Sequence, residues 1–234
     1  MLPKSIQIGP SILTADLLSL GDQILTAERA GVDYIHLDVM DGRFVPNISF
    51  GLPIAKAIRA GTSLPLDAHL MIVEPERYVA DFIAAGADSV TIQVEACVHL
   101  HRTLIQIQEL GATAGVAICP GTPLSSVEEV LPFIGNLLIM SVNPGFGGQT
   151  FIPNVLSKIE RARVLIDERN PACWLQVDGG IKASNIGRVG RAGADSFVAG
   201  SSIFDGSDQI AGNVAELRRA LSETSLAKAS DSPS

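Results

Sequence analysis

The sequence predicts a single-domain (β/α)₈ TIM barrel, on three observations. Eight short apolar runs alternate with longer amphipathic stretches along the 234 residues, the count of a closed parallel barrel. The chain is 47% hydrophobic but only 5% aromatic. Its core must therefore come from Val, Ile, Leu and Ala, which favours strands covered on both faces. A punctuation also recurs just before strands, as Ala30-Gly31-Val32-Asp33, Ala85-Gly86-Ala87-Asp88 and Ala192-Gly193-Ala194-Asp195, with Leu110-Gly111-Ala112-Thr113 a weaker copy. A glycine at a helix end adopts the left-handed conformation cheaply, and the following residues turn the chain into the sheet.

Taken in order, the expected strands are Ile6–Ser11, Tyr34–Val39, Leu66–Met71, Ser89–Val94, Ala114–Ile118, Leu137–Val142, Trp174–Val177 and Ser196–Ala199. Each is followed by a helical segment, for example Leu17–Ala30, Glu76–Ala85, Leu100–Leu110, Val155–Arg169 and Ile210–Leu221. No linker divides residues 1–222, which are expected to form one barrel domain. Residues 223–234 lose periodicity, become rich in Ser, Ala and Asp, and are expected to be a disordered tail.

Composition excludes several classes. The net charge is −8 and the 17 basic residues are scattered, so no nucleic-acid partner is expected. The apolar runs are strand-length, so no membrane span is expected. The chain enters a strand-like run within its first residues, so no signal or transit peptide is expected. Three widely spaced cysteines, Cys97, Cys119 and Cys173, form no disulfide or metal pattern and fit a reduced, cytoplasmic setting.

Barrel active sites gather at the C-terminal ends of the strands. The second strand ends in His36-Leu37-Asp38-Val39-Met40, the third in His69-Leu70-Met71 and the seventh in Asp178-Gly179-Gly180. Strand side chains alternate, so His36 and Asp38 share one side while Ile35, Leu37 and Val39 face the helices. Imidazole and carboxylate groups in a barrel interior are costly unless paired or bound to metal. A lone inward His or Asp is most often a hydrogen-bonded structural residue. Four in phase (His36, Asp38, His69 and Asp178) make a set suited to one Zn²⁺, Fe²⁺, Mn²⁺ or Co²⁺ ion. His99 and His101 stand two apart where a helix begins and do not face one way, so they are not read as ligands. Met40, Met71 and Met140 also lie at strand ends, as an adaptable apolar lining.

Glycine-rich turns follow the last three strands: Gly145-Phe146-Gly147-Gly148, Gly179-Gly180 and Gly200-Ser201. Backbone N–H groups in such turns approach an anion closely, and barrels often hold phosphate there. The Asn143–Gly148 segment also reads as a mobile lid.

At these residues the sequence resembles the ribulose-phosphate 3-epimerase family. The matching signatures are Ser11-Ile12-Leu13, the run from His36 to Asn47, His69-Leu70-Met71, the run from His99 to Thr103, the run from Ser141 to Gln149, and Val177-Asp178-Gly179-Gly180-Ile181. The resemblance implies interconversion of D-ribulose 5-phosphate and D-xylulose 5-phosphate, in the pentose phosphate pathway or the reductive carbon-fixation cycle. It assigns His36, Asp38, His69 and Asp178 to the metal, makes Asp38 and Asp178 the acid–base pair, and makes Ser11 and His69 substrate contacts. It gives the substrate and its phosphate to Gly145–Gly148, Asp178–Gly180 and Gly200–Ser201, and implies a homo-oligomer, dimer or hexamer. The chemistry agrees: inverting a carbon beside a ketone takes one proton from one face and returns one to the other, through an enediolate. The alternatives are a related epimerase for a hexulose phosphate such as allulose 6-phosphate, a sugar-phosphate decarboxylase of similar fold, and a non-catalytic sugar-phosphate-binding barrel.

Overall fold

The computed structural model describes residues 6–206 and 209–230, without the side chains of 224–230. Eight parallel strands form one sheet: β1 (Gln7–Pro10), β2 (Ile35–Met40), β3 (Leu66–Met71), β4 (Ser89–Gln93), β5 (Thr113–Ile118), β6 (Asn136–Met140), β7 (Trp174–Asp178) and β8 (Ser196–Ala199). Consecutive strands pair in parallel from β2 to β8, and β8 pairs with β1. A bridge between Ser11 and His36 brings β1 against β2, so the sheet curls into a nearly closed barrel.

The period-two alternation divides the side chains cleanly. Ile35, Leu37, Leu66, Ala68, Leu70, Val90 and Ile92 join the main core beneath the helices. The intervening positions face the barrel axis and form smaller clusters, Met40–Val45–Met71 and Ala117–Leu138–Met140–Val142. Two glycines make room inside: a Cβ on Gly9 would stand 2.1 Å from the Tyr34 ring, and one on Gly115 would stand 2.2 Å from Thr91 Oγ1.

The helices are α1 (Leu20–Arg29), α2 (Leu52–Gly61), α3 (Val79–Ala84), α4 (Leu100–Glu109), α5 (Val155–Arg169), α6 (Ala183–Arg191), α7 (Ser201–Phe204) and α8 (Ile210–Ser230). Gly31, Gly86, Gly111 and Gly193, which end α1, α3, α4 and α6, all take positive φ. The aspartates of the punctuation have a specific task. Asp33 accepts the Ile8 N–H at 2.6 Å, Asp88 that of Leu66 at 2.8 Å and Asp195 that of Leu175 at 2.7 Å. Each thus satisfies a donor near the start of the neighbouring strand. Each also pairs with an arginine, Arg218, Arg59 and Arg163 respectively.

Two expectations need adjustment. β5 is followed by two 3₁₀ turns, Leu124–Ser126 and Leu131–Phe133, rather than an α-helix. Pro120, Pro123 and Pro132 remove donors that a helix there would need. Lys158 pins this stretch through the carbonyls of Cys119, Pro120 and Thr122 at 2.6–3.0 Å. At the C-terminal end α8 continues to Ser230, beyond the loss of periodicity at Glu223, through residues such as Leu226, Ala227 and Lys228 that are strong helix formers. The remainder of the expected tail, 231–234, lies outside the described residues.

Candidate active site

A cleft opens at the barrel's C-terminal mouth, the end where barrel active sites gather. Its walls come from Ser11 after β1, Asp38 and Met40 on β2, Met71 on β3, Met140 on β6, Asp178 on β7 and the glycine turns after β6, β7 and β8. All three expected methionines line it, as do Gly145, Phe146, Gly147, Gly148, Gly179, Gly180, Gly200 and Ser201.

At its floor, ligand-type atoms of His36, Asp38, His69 and Asp178 lie within 4.8 Å of one another. Both histidines are fully buried and Asp38 is 3% exposed. Asp38 Oδ1 accepts from His69 Nδ1 at 3.0 Å and from His36 Nε2 at 3.2 Å, and its Oδ2 accepts from Ser11 Oγ at 2.6 Å. The other nitrogen of each ring is also engaged. His36 Nδ1 donates to Asp67 Oδ2 at 2.9 Å, and His69 Nε2 stands 2.9 Å from the Gln93 amide nitrogen.

Asp67 belongs to a polar plug filling the barrel beneath the site. It accepts from Ser89 Oγ and Gln176 Nε2 at 2.6 and 3.0 Å, and Gln176 in turn contacts Tyr34 and Asn136. Buried polar groups joined in this way fix one another's rotamers. Burial, aided by the Asp67 charge, pushes the Tyr34 phenol far above its usual value and keeps it a neutral donor or acceptor.

The two cleft carboxylates are displaced in opposite directions. Burial alone would raise Asp38, but the His36 charge and hydrogen bonds from both histidines outweigh it and hold the carboxyl below the usual range. For Asp178, burial, and then the Asp38 charge, push the carboxyl up to about 8. Without a metal ion, the site therefore sets a carboxyl that readily ionises beside one that holds its proton more tightly. His36 is raised despite its burial, because Asp38 and Asp67 both favour the cation.

The glycine turns approach one another closely. Gly179 and Gly180 have φ of +118° and +64°, and a Cβ on Gly180 would stand 2.4 Å from the Phe151 backbone nitrogen. The 145–148 loop is tied down by Asn47, whose Nδ2 donates to the Gly145 carbonyl at 2.9 Å, and by Gln149, which donates to the Asn143 and Phe146 carbonyls. Phe146 remains 56% exposed at the mouth.

His99 and His101 stand apart from this cluster. His99 precedes α4, and His101 packs edge-on against Phe133 with ring centroids 4.6 Å apart. Asp67, Gln93 and Thr14 were missed from sequence. The first two share the inward parity of His69 on β3 and β4, a signal that could have found them. Thr14, in the 3₁₀ turn after β1, offers no such period.

The family model of the ribulose-phosphate 3 epimerase family matches residues 7–204. Ribulose-phosphate 3-epimerase from a Synechocystis strain is 55% identical over 206 residues, covering 87% of this chain and 90% of that protein. The chloroplastic ribulose-5-phosphate-3-epimerase of Arabidopsis thaliana is 53% identical over 207 residues, covering 88% and 74%. Among solved structures, that of 3-keto-L-gulonate-6-phosphate decarboxylase from Vibrio cholerae superposes with a TM-score of 0.70. It covers 95% of this chain and 99% of that one at 15% identity, and so shows the barrel alone.

Proposed function

The chain belongs to the ribulose-phosphate 3-epimerase family, and from that premise we propose that it interconverts D-ribulose 5-phosphate and D-xylulose 5-phosphate by proton transfer at C3. The observation that carries the reading is the pair of carboxyls, Asp38 and Asp178, brought from β2 and β7 to one cleft beside His36 and His69. The ionised one takes the C3 proton from one face of the sugar. The neutral one returns its own to the opposite face of the planar enediolate. The reverse reaction exchanges their roles, so neither carboxyl can be spared.

The donor set fits one divalent ion of the Zn²⁺, Fe²⁺, Mn²⁺ or Co²⁺ kind: two imidazoles and two carboxylates with ligand atoms within 4.8 Å. His36 would bind through Nε2, because Nδ1 is committed to Asp67, the carboxylate–histidine support common in metal centres. His69 would bind through Nδ1, with Nε2–H donating to the Gln93 amide turned so that its oxygen accepts. When bound, such an ion supplies fixed positive charge against the oxyanion that develops as the proton leaves. Ser11, which lines the cleft, orients the sugar beside Asp38, whereas His69, fully buried and with both ring nitrogens engaged, is left to the metal rather than to the expected substrate contact. Met40, Met71 and Met140 keep water from the reacting carbon. Gly147, Gly148, Gly180, Gly200 and Ser201 hold the phosphate through main-chain N–H groups, Gly145 and Phe146 belong to the lid above, and Gly179 contacts the substrate beside Asp178.

The scattered free cysteines support a cytoplasmic setting, and family resemblance supports a homo-oligomer, dimer or hexamer, serving the pentose phosphate pathway or carbon fixation. No helix among the described residues is long and apolar enough to cross a membrane. The test is a panel of ribulose 5-phosphate and allulose 6-phosphate, assayed before and after chelation. Activity concentrated on the pentose phosphate, abolished by chelation and restored by one of the four ions, is expected. Preference for the hexulose phosphate, or full activity in verified metal-free protein, would overturn the reading.

A further inference from the structure

We propose that Thr14 is a phosphate-binding residue, whose side-chain hydroxyl completes an anion cradle otherwise made of main-chain N–H groups. Its Oγ1 is sealed from solvent and has no hydrogen-bond partner among the described residues. A threonine in a helical turn ordinarily bonds its hydroxyl back to the preceding turn's carbonyls; Thr14, the last residue of the Ile12–Thr14 3₁₀ turn, does not. A buried hydroxyl without a partner is unfavourable and calls for one supplied from elsewhere.

The position of the residue says where that partner would come from. Thr14 lines the active-site cleft together with Gly147, Gly148, Gly180, Gly200 and Ser201. It is wedged between two of the glycine turns. A Cβ on Gly147 would lie 2.5 Å from Thr14 Cγ2, and a Cβ on Gly200 would lie 3.0 Å from Thr14 Oγ1 and 3.3 Å from Cγ2. The methyl group is therefore packed under the loop after β6, while the hydroxyl is directed to the turn after β8. The absence of side chains at Gly147 and Gly200 thus serves Thr14 as much as the anion, since any larger residue would displace it.

The cradle contains no lysine or arginine within its turns, so each additional donor carries weight. Because Oγ1 is closed to a water-sized sphere in the free protein, the turns around it would have to part slightly for a phosphate oxygen to accept from it, and only that bound state would satisfy the hydroxyl. The free protein would carry the unpaired group, and the ligand would relieve it. This inference rests on the phosphorylated substrate proposed above.

The test uses Thr14→Val, which keeps the shape and removes the hydroxyl, and Thr14→Ser, which keeps the hydroxyl. Binding of inorganic phosphate to the full-length protein is measured by calorimetry, and kcat/KM is measured on ribulose 5-phosphate and on D-ribulose. Thr14→Val should weaken phosphate binding by about tenfold or more, the scale of a hydrogen bond to a charged group. Thr14→Ser should stay within about threefold of wild type. The loss of kcat/KM in Thr14→Val should be about tenfold larger on the phosphorylated sugar than on D-ribulose. If valine prevents folding, Thr14→Ala carries the same comparison without crowding the turn. Wild-type phosphate affinity in the folded Val or Ala variant overturns the proposal, and so do equal losses on the two sugars. Failure of the wild type to bind phosphate would remove the cradle and Thr14's role together. Phosphate binding that depends on Thr14 in a protein without epimerase activity would overturn the reaction and leave this role standing.

Discussion

The Asp178 carboxyl makes an unusual stability claim for the metal-free protein. Its folded-state pKa is raised to about 8, by burial first and the Asp38 charge second. In the unfolded chain it titrates near its ordinary value of about 4. Between those limits the folded protein holds a proton that the unfolded chain has lost, so stability falls as pH rises. Each pH unit in that window costs about 1.4 kcal/mol. From pH 5 to pH 8 the loss attributable to this group is on the order of a few kcal/mol. Asp178→Asn abolishes the titration while keeping the shape. Urea denaturation of chelated wild type and variant at pH 5, 6, 7 and 8 measures the difference directly. The variant should gain on wild type progressively as pH rises, while its turnover falls by about 10²–10⁴-fold. A stability difference that is the same at pH 5 and pH 8 would refute the assignment of a carboxyl that keeps its proton to high pH.

Two further outcomes follow from the same geometry. Asp67→Asn keeps an acceptor beside His36 but removes the charge that orients the ring and favours ligation through Nε2. Competition with a chromophoric chelator should show metal affinity about 10–100-fold weaker, and an unchanged affinity would contradict the supporting role. Gly180→Ala places a Cβ 2.4 Å from the Phe151 nitrogen at a φ of +64°, so the 149–151 backbone must move. The left-handed backbone alone costs about 1–2 kcal/mol. The variant should lose kcat/KM on the phosphorylated sugar while still binding the ion; wild-type kinetics would show that this turn tolerates a side chain.

Much of the architecture was legible because a barrel strand buries both faces and its period is strict. Leu66–Met71 and Ser196–Ala199 match their expected bounds, and other strands shift by only one or two residues. Helix ends were less legible: Leu17–Ala30 shortens to Leu20–Arg29, and the expected Glu76–Ala85 divides at Tyr78 into a 3₁₀ turn and α3. The proline-rich stretch after β5 lacks the period of a helix and forms none. In the site, parity alone grouped His36 with Asp38, and the structure brings His69 and Asp178 to them. The residues that steady this group, Asp67 and Gln93, depend on which strands are neighbours, and that is settled by the register of β2, β3 and β4. Thr14 depends on the close approach of turns 130 and more residues apart in sequence, which no local pattern encodes.

The most direct test of the two-carboxyl account is incubation of the metal-loaded wild type with ribulose 5-phosphate in D₂O, following C3 of both sugars by NMR during the first turnovers. The account predicts xylulose 5-phosphate carrying deuterium at C3, formed while unreacted ribulose 5-phosphate still carries protium there, because the returning group exchanges with solvent before it delivers its proton. Product that retains the original C3 hydrogen, or exchange at another carbon with C3 untouched, would contradict it.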